Sequence, residues 1–372
     1  MNKLSFVDLA AQQSVLGEKI DRAISGVLAH GSYIMGPEIR ELEEVLAARA
    51  QRRHCVSCAS GTDALQMALM ALGAGPGDRV VVPDFTFVAT AEAVCLVGAE
   101  PVFADVDPAT YSLDADSVAK AWELPGRPPI GIVAVDLFGH PADCEGLERL
   151  AQSHGAWLVV DGAQSFGAMT KGVSAMASGV MATTSFYPSK PLGAYGDGGA
   201  VFCDDDGLNS ALRSIRVHGV GDEPYVHERI GLTGRLDTIQ AAILLSKLTV
   251  FDDELRKRSD VARHYTDALC NLVSTPTPGS GVEPVWAQYT VEVERREDLR
   301  PELTRVGIPT SVFYPYPLHA NPAYSTFPVV PGGVPVTERV TQRVLSLPMH
   351  PYLGGSEQDL VISSFVTALS HL

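Results

Sequence analysis

Short, uninterrupted apolar runs recur along this chain with helical stretches between them, and that alternation restricts the fold more than any other feature. The runs are HCVSC (54–58), RVVVP (79–83), PVFADV (101–106), IGIVAVDLF (130–138), WLVVD (157–161), ATTSFY (182–187) and AVFCD (200–204). Helical patterns at 62–73, 87–97, 144–154 and 206–217 separate most of them. A strand that is apolar on both faces needs cover on both faces, which a parallel sheet between helices provides. The order therefore predicts an α/β fold with a mainly parallel central sheet. Two further helical patterns, 8–29 and 37–51, precede the first strand and are divided at Gly31, Gly36 and Pro37. One long amphipathic helix is expected over 236–271, followed by a Pro/Gly-rich boundary, TPTPGSGVEP (275–284). The expected division is a large domain over 1–250, including the N-terminal helices, and a small C-terminal α/β domain over 251–372.

With 46% hydrophobic and 19% charged residues, the 372-residue chain lies far from disordered composition. Its 28 Lys+Arg and 44 Asp+Glu leave a net charge of −16, which argues against nucleic acid or an anionic membrane as the main partner. A small anionic ligand gripped by a few arginines stays open. Six cysteines are too sparse for a disulfide scaffold. Cys55 and Cys58 form a CxxC with no second pair at zinc spacing, so they are expected to pack a buried strand, and no metal site is expected. The opening MNKLSFVDLAAQQ lacks the charged-then-apolar order of a secretory leader. No apolar stretch reaches the roughly 18–20 residues of a spanning helix. The expected setting is the cytoplasm.

In an open α/β sheet, ligands bind beyond the carboxyl ends of the strands. Four features fall there. Ser60-Gly61-Thr62-Asp63 follows a strand and opens a helix, where unpaired N–H groups suit a phosphate; Ser60 or Thr62 could equally just cap that helix. Asp161 ends WLVV, a costly place for a carboxylate unless a cation or several donors meet it; a helix cap is the plainer role. Lys190 lies in SFYPSKPLGAYGDGG (185–199), between a buried strand and tight turns. A desolvated lysine there loses its proton more readily and can form a Schiff base with an aldehyde. Phe85-Thr86-Phe87 follows another strand, and either Phe could cover a flat ring or simply fill the core. A phosphate cradle, a carboxylate, an aromatic plate and a lysine at adjacent strand ends match pyridoxal phosphate (PLP). The lysine takes the aldehyde, and the carboxylate keeps the pyridine nitrogen protonated. Ser185 can add a phosphate contact.

The sequence resembles the sugar aminotransferases of the DegT/DnrJ/EryC1/StrS family, PLP enzymes of fold type I. The likeness runs through GSYIMGPEIRELE (31–43), SGTDALQMAL (60–69), PDFTFVATAEAV (83–94), VVDGAQSFGA (159–168), SFYPSKPLGAYGDGG (185–199), RIGLTGRLDTIQAAIL (229–244) and GIPTSVFYPYPLH (307–319). The resemblance implies that Lys190 carries PLP and moves the proton, that Asp161 meets the pyridine nitrogen and that Phe87 stacks on the ring. It also implies Gln164 near the ring hydroxyl and Gly61, Thr62 and Ser185 around the phosphate. It further implies a homodimer with shared sites, the segment 231–235 coming from the partner. The family usually has G-x-N-x-R there. This chain has Gly231-Leu232-Thr233-Gly234-Arg235, so a hydroxyl stands where an amide donor is usual.

Within the family, 307–319 and SLPMHPYL (346–353) look most like the branch acting at C3 of UDP- or dTDP-linked 3-keto sugars, with L-glutamate as donor. UDP-2-acetamido-3-keto-glucuronate is one such substrate. Arg229, Arg235, Tyr314 and His319 are the substrate-side candidates. Two alternatives are a PLP-dependent sugar dehydratase, which has His at the lysine position, and a non-catalytic regulatory protein on the same fold. Lys190 and the Lys190/Asp161 pair weigh against them.

Overall fold

The computed structural model describes residues 4–223 and 225–371. Two helices lead in. α1 (Leu9–His30) starts where Asp8 accepts a hydrogen bond from Ala11 N and stops at Gly31, whose φ of 73° few other residues tolerate. α2 (Pro37–Ala50) begins with Pro at its first turn. The alternating part follows as β1 (His54–Cys58), α3 (Gly61–Ala71), β2 (Arg79–Pro83), α4 (Ala89–Leu96), β3 (Glu100–Ala104), α5 (Ala115–Ala119), β4 (Gly131–Val135), α6 (Cys144–Ser153) and β5 (Trp157–Asp161). Two short strands, β6 (Met169–Thr170) and β7 (Val173–Ser174), precede β8 (Met181–Ser185), β9 (Gly199–Cys203) and α7 (Asp206–Ile215).

The seven-stranded sheet has the order β1-β9-β8-β5-β4-β2-β3. It is mainly parallel as expected, except that β9 runs against both its neighbours. The reason is the connection. A return to the same edge in parallel needs a crossover, usually a helix, whereas residues 186–198 form a helix-free loop between β8 and β9. One apolar cluster packs a face of the sheet with α2, α6 and the later helix Thr238–Leu248, and a second packs the other face with α3, α4 and α7. Cys55 belongs to the first cluster and Cys58 to the second, so the sheet itself separates the two thiols. Burial holds both thiols protonated, well above their ordinary range.

The single helix expected over 236–271 is two, α8 (Thr238–Leu248) and α9 (Phe251–Leu269). Thr249 turns its hydroxyl back to Ser246 O at 2.7 Å, and at Val250 φ opens to −116°, well beyond the regular helical value of about −63°. Three acids in the first turn of α9 (Asp252, Asp253 and Glu254) then favour a fresh helix start. The Pro/Gly-rich stretch ends in β10 (Val282–Glu283), which pairs with β6. Next come β11 (Tyr289–Glu292), α10 (Arg296–Arg305), α11 (Pro335–Val340), β12 (Val344–Leu347) and α12 (Gly355–Ser370). β11 pairs with β12, and a third apolar cluster forms between them, α9, α10 and α12. No described helix is long and apolar enough to cross a membrane.

A buried charge cluster anchors the first strand. Glu43 of α2 accepts from Arg216 Nη1 at 2.6 Å, Arg213 Nη1 at 3.0 Å, Ser57 N at 3.0 Å and Ser57 Oγ at 2.8 Å. Glu43 and Arg216 are 6% and 2% exposed, so removing one leaves the other charge in the core without its partner. Glu43→Ala is expected to lower the unfolding free energy by about 3–5 kcal/mol, read from urea denaturation. A loss below about 1 kcal/mol, typical of surface pairs, would contradict this role.

Candidate active site

Four neighbouring parallel strands, β3, β2, β4 and β5, each deliver an aspartate at the carboxyl edge of the sheet: Asp105, Asp84, Asp136 and Asp161. All four are buried, at 6%, 0%, 0% and 5% exposure. A buried carboxylate must find donors or a cation, and each does so differently. Asp105 accepts Val336 N and Thr337 N, both at 2.8 Å, which fixes the start of α11. Asp84 accepts His319 N at 2.8 Å and pairs with His319 Nδ1 at 2.6 Å. Asp136 accepts Ser165 Oγ at 2.6 Å and Ala142 N at 2.8 Å, and burial pushes its carboxyl up to about 7.

Asp161 accepts Thr90 Oγ1 at 2.8 Å on Oδ2 and Ala163 N at 3.2 Å on Oδ1. Burial raises its carboxyl above the usual range, and the Thr90 and Ala163 donors and the Lys190 charge oppose that rise. Lys190 sits five residues beyond the end of β8, the strand paired with β5. Its ammonium is pushed down to about 8 by burial, with Asp161 pulling the other way. The two sequence-predicted residues thus face each other as an electrostatically coupled pair.

The phosphate candidates also converge. Ser60 caps α3 by accepting Asp63 N at 3.0 Å, so the capping role is real. The helix start nonetheless lies against Ser185. A Cβ on Gly61 would come within 2.7 Å of Ser185 Cβ, and one on Gly199 would run into Ser60 O. Only glycine lets the first turn of α3, with Thr62 in it, lie this close to the end of β8. That crowding leaves a cradle of N–H groups and a hydroxyl of the kind a phosphate needs.

The two phenylalanines divide their roles. Phe85 is buried in the core, whereas Phe87 is 52% exposed and presents its ring, 5.9 Å from that of Tyr314. Gln164 accepts Phe138 N at 2.6 Å, and its Nε2 reaches Tyr314 Oη at 3.4 Å. Phe87, Gln164 and Tyr314 therefore form one wall. Tyr314 rides on a strip pinned at both ends. Ser311 and Ser346 exchange backbone hydrogen bonds at 3.1 and 2.8 Å, and His319 is tied to Asp84. His319 thus works as a tether in this structure, whatever it touches beyond.

The 229–235 segment is held by its own chain. Leu232 N bonds Ile215 O at 2.9 Å, Gly234 N bonds Arg216 O at 3.0 Å, and Ala59 N bonds Gly234 O at 3.1 Å. Thr233 is exposed, with its hydroxyl 3.0 Å from His218 Nε2. Arg235 has a buried Nε without a hydrogen-bond partner among the described residues. Arg229 is exposed, 3.8 Å from Glu228.

These features match a known group of proteins over the whole chain. A profile of the DegT/DnrJ/EryC1/StrS aminotransferase family matches residues 14–366. The chain belongs to this family. It is 46% identical over 362 residues to the UDP-2-acetamido-2-deoxy-3-oxo-D-glucuronate aminotransferase of Pseudomonas aeruginosa, covering 97% of this chain and 99% of that one. It is 40% identical over 364 residues to the dTDP-3-amino-3,4,6-trideoxy-alpha-D-glucose transaminase of Streptomyces venezuelae, covering 97% and 95%. A DegT/DnrJ/EryC1/StrS aminotransferase from Brucella abortus, solved by crystallography, superposes with a TM-score of 0.96 at 45% identity, covering 98% and 99% of the two chains.

Sequence reasoning missed Thr90, Asp84 and Asp136 in this DegT/DnrJ/EryC1/StrS site. Asp136 had a usable signal, because IGIVAVD repeats the apolar-run-then-Asp pattern that singled out Asp161 in WLVVD. Thr90 had none, since one Thr in a helix says nothing about what its hydroxyl meets. The coupled pair has a measurable signature. In cofactor-free protein, modification of Lys190 by an amine-directed reagent, followed by peptide mapping, is expected to show a midpoint near pH 8. Asp161→Asn removes the charge that favours the ammonium, so the midpoint should fall further. A midpoint at the ordinary lysine value near 10.5 would overturn the enclosure of Lys190.

Proposed function

We propose that the protein is a PLP-dependent aminotransferase that moves an amino group from L-glutamate to C3 of a UDP- or dTDP-linked 3-keto sugar, acting as a homodimer. The observation that carries this reading is Lys190 set against the buried Asp161, with the Gly61/Ser185 cradle at the neighbouring strand ends. The residues fit the cofactor in chemistry as well as number: an amine of lowered basicity, a buried carboxylate whose proton affinity burial raises, a cradle of N–H donors, and the half-exposed ring of Phe87. PLP, when bound, supplies the aldehyde that receives the amino group and a ring that takes up the electron pair left by a departing proton.

The chain supplies the rest. Lys190 Nζ, with its lowered basicity, takes the proton from Cα of L-glutamate in one half-reaction and delivers a proton to C3 of the sugar in the other. Asp161 would pair with a protonated ring nitrogen. Gly61, Thr62 and Ser185 would hold the phosphate, and Gln164 and Tyr314 would contact the ring. A nucleotide diphosphate is anionic and the protein carries −16, so affinity must come from local donors and not from long-range attraction. Arg229 and Arg235 can grip phosphate or carboxylate through paired N–H groups. The relatives from P. aeruginosa and S. venezuelae, by their names, act on UDP-3-oxo and dTDP-3-amino sugars, which supports C3 as the position aminated.

The dimer reading rests on exposed apolar surface. Tyr33, Ile34, Met35 and Tyr195 are 49%, 47%, 43% and 39% exposed, and Ile230 is 84% exposed. Ile34 bridges Asp237 and Tyr195 N bonds Gln240, so this surface gathers around the start of α8, next to the 229–235 segment. Apolar surface so concentrated supports a subunit interface there.

Purified protein assayed with L-glutamate should aminate 3-keto nucleotide sugars and leave 4-keto isomers nearly untouched. Lys190→Ala should lose turnover and borohydride-trapped cofactor together. Efficient turnover of 4-keto sugars alone would overturn the C3 assignment, and wild-type trapping in Lys190→Ala would overturn the lysine's role. For shared sites, mixing inactive Lys190→Ala with inactive Arg235→Ala under verified subunit exchange should restore activity in hybrid dimers. Exchange without recovery would refute the shared site or Arg235's part in it.

A further inference from the structure

We propose that Thr90 is a positioning residue of this active site: its hydroxyl holds the Asp161 carboxylate ionised and correctly turned for the cofactor ring, and Thr86 aims that hydroxyl. The inference rests on the PLP reading above. It starts from where the Thr90 hydroxyl goes. Thr90 lies in the first turn of α4, is 1% exposed, and has its Oγ1 2.8 Å from Asp161 Oδ2. A buried Thr in a helix commonly bonds back to its own helix, and this one reaches across to β5 instead.

The proton count fixes the direction of the chain. A hydroxyl has one proton, and an ionised carboxylate can only accept. Thr90 therefore donates to Asp161, and the 3.3 Å contact between the two threonine hydroxyls must run from Thr86 to Thr90. Thr86 is 2% exposed, so the relay is shielded from water. The β-branch of Thr leaves few rotamers, which keeps the donor in place without solvent to steady it. The other contact to the carboxylate, Ala163 N at 3.2 Å, is long and lies on Oδ1. Thr90 is thus the closest neutral donor to Asp161.

Asp161 faces three other titratable groups: the Lys190 ammonium, Asp136 and the phenol of Tyr314. Lys190 favours the carboxylate form, whereas Asp136, when ionised, and burial disfavour it. Without the Thr90 donor, Asp161 would gain a proton at higher pH. A neutral Asp161 cannot hold a protonated ring nitrogen. With the amine form of the cofactor, which has no aldehyde for Lys190 to take, the pH below which it is lost should therefore move upward, a change that loosened packing alone would not produce.

The experiment titrates cofactor-free wild type, Thr90→Val, Thr90→Ser and Thr86→Val with pyridoxamine phosphate across pH 5.5 to 9, followed by absorbance, and wild type also with PLP. In Thr90→Val, affinity at neutral pH should fall about tenfold, the scale of one hydrogen bond to a charged group. Its acid limb should shift to higher pH. Thr90→Ser, which keeps the hydroxyl but not the branch that steadies it, should keep the acid limb close to its wild-type position. Thr86→Val leaves Thr90 in place but removes its guide, so it should shift the limb the same way by less, and it tests the claim even if Thr90→Val does not fold. An unmoved acid limb in Thr90→Val, or uniformly weaker binding in both Thr90 variants, would overturn the role of Thr90. Wild type that fails to bind PLP at any pH would instead overturn the cofactor reading, so the two failures are told apart.

Discussion

Buried carboxylates at the ends of parallel strands govern how this molecule is put together. Parallel strands leave their carboxyl ends on one edge, and β2, β3, β4 and β5 each place an aspartate there. None of these four can stay buried unless something comes to meet it. The start of α11 comes to Asp105, the 311–319 strip to Asp84, the 161–168 turn to Asp136, and Thr90 with Lys190 to Asp161. Two of the four, Asp84 and Asp136, thereby bring Tyr314 and Gln164 into the surroundings of Asp161. A requirement that is purely energetic, finding partners for charge in an apolar edge, doubles as the construction plan of the site.

The reversed strand β9 has a similar dual effect. Because residues 186–198 return directly instead of through a helix, both ends of the lysine loop are hydrogen-bonded within the sheet. Phe186 N bonds Gly198 O and Ala194 N bonds Phe186 O, both at 2.7 Å, which tightens the loop further. Lys190 is held beside Asp161 by the backbone and not by its long side chain alone. That is how an ammonium can be kept where burial works against its charge.

Much of this was legible in the sequence because it is written in local patterns. The apolar runs located the large sheet's strands to within a few residues, and the strand-end rule picked out Asp161, Lys190 and the Ser60–Thr62 turn. The break between α8 and α9 was not legible, because Thr249 and Val250 fit a helical pattern and only the competing Thr249 hydroxyl bond and the acids of α9 divide it. The direction of β9 needed the absence of a helix to be weighed as heavily as the presence of strands. Thr90, Asp84 and His319 act through partners 71 and 235 positions away in sequence, and no local pattern encodes such contacts. Position after the strand alone does not separate Phe85 from Phe87; the family resemblance named Phe87, and it is Phe87 whose ring is half-exposed.

The strip between Ser311 and His319 is moored at its two ends, and between them its contacts are made by side chains, Tyr314 to Gln164 and Phe313 to Phe6. At one end it is stitched to β12 through Ser346, at the other to Asp84, while Tyr316 stands 68% exposed and Phe313 and Tyr314 pack only partly. Its moorings are a backbone pairing and one carboxylate, neither of which depends on the side chains at 313–316. A lineage carrying this fold can therefore recut the wall above Phe87 one residue at a time, with the sheet and its lysine untouched. Diversification of what enters the cleft is cheap in this architecture, because the part that chooses hangs from the part that folds.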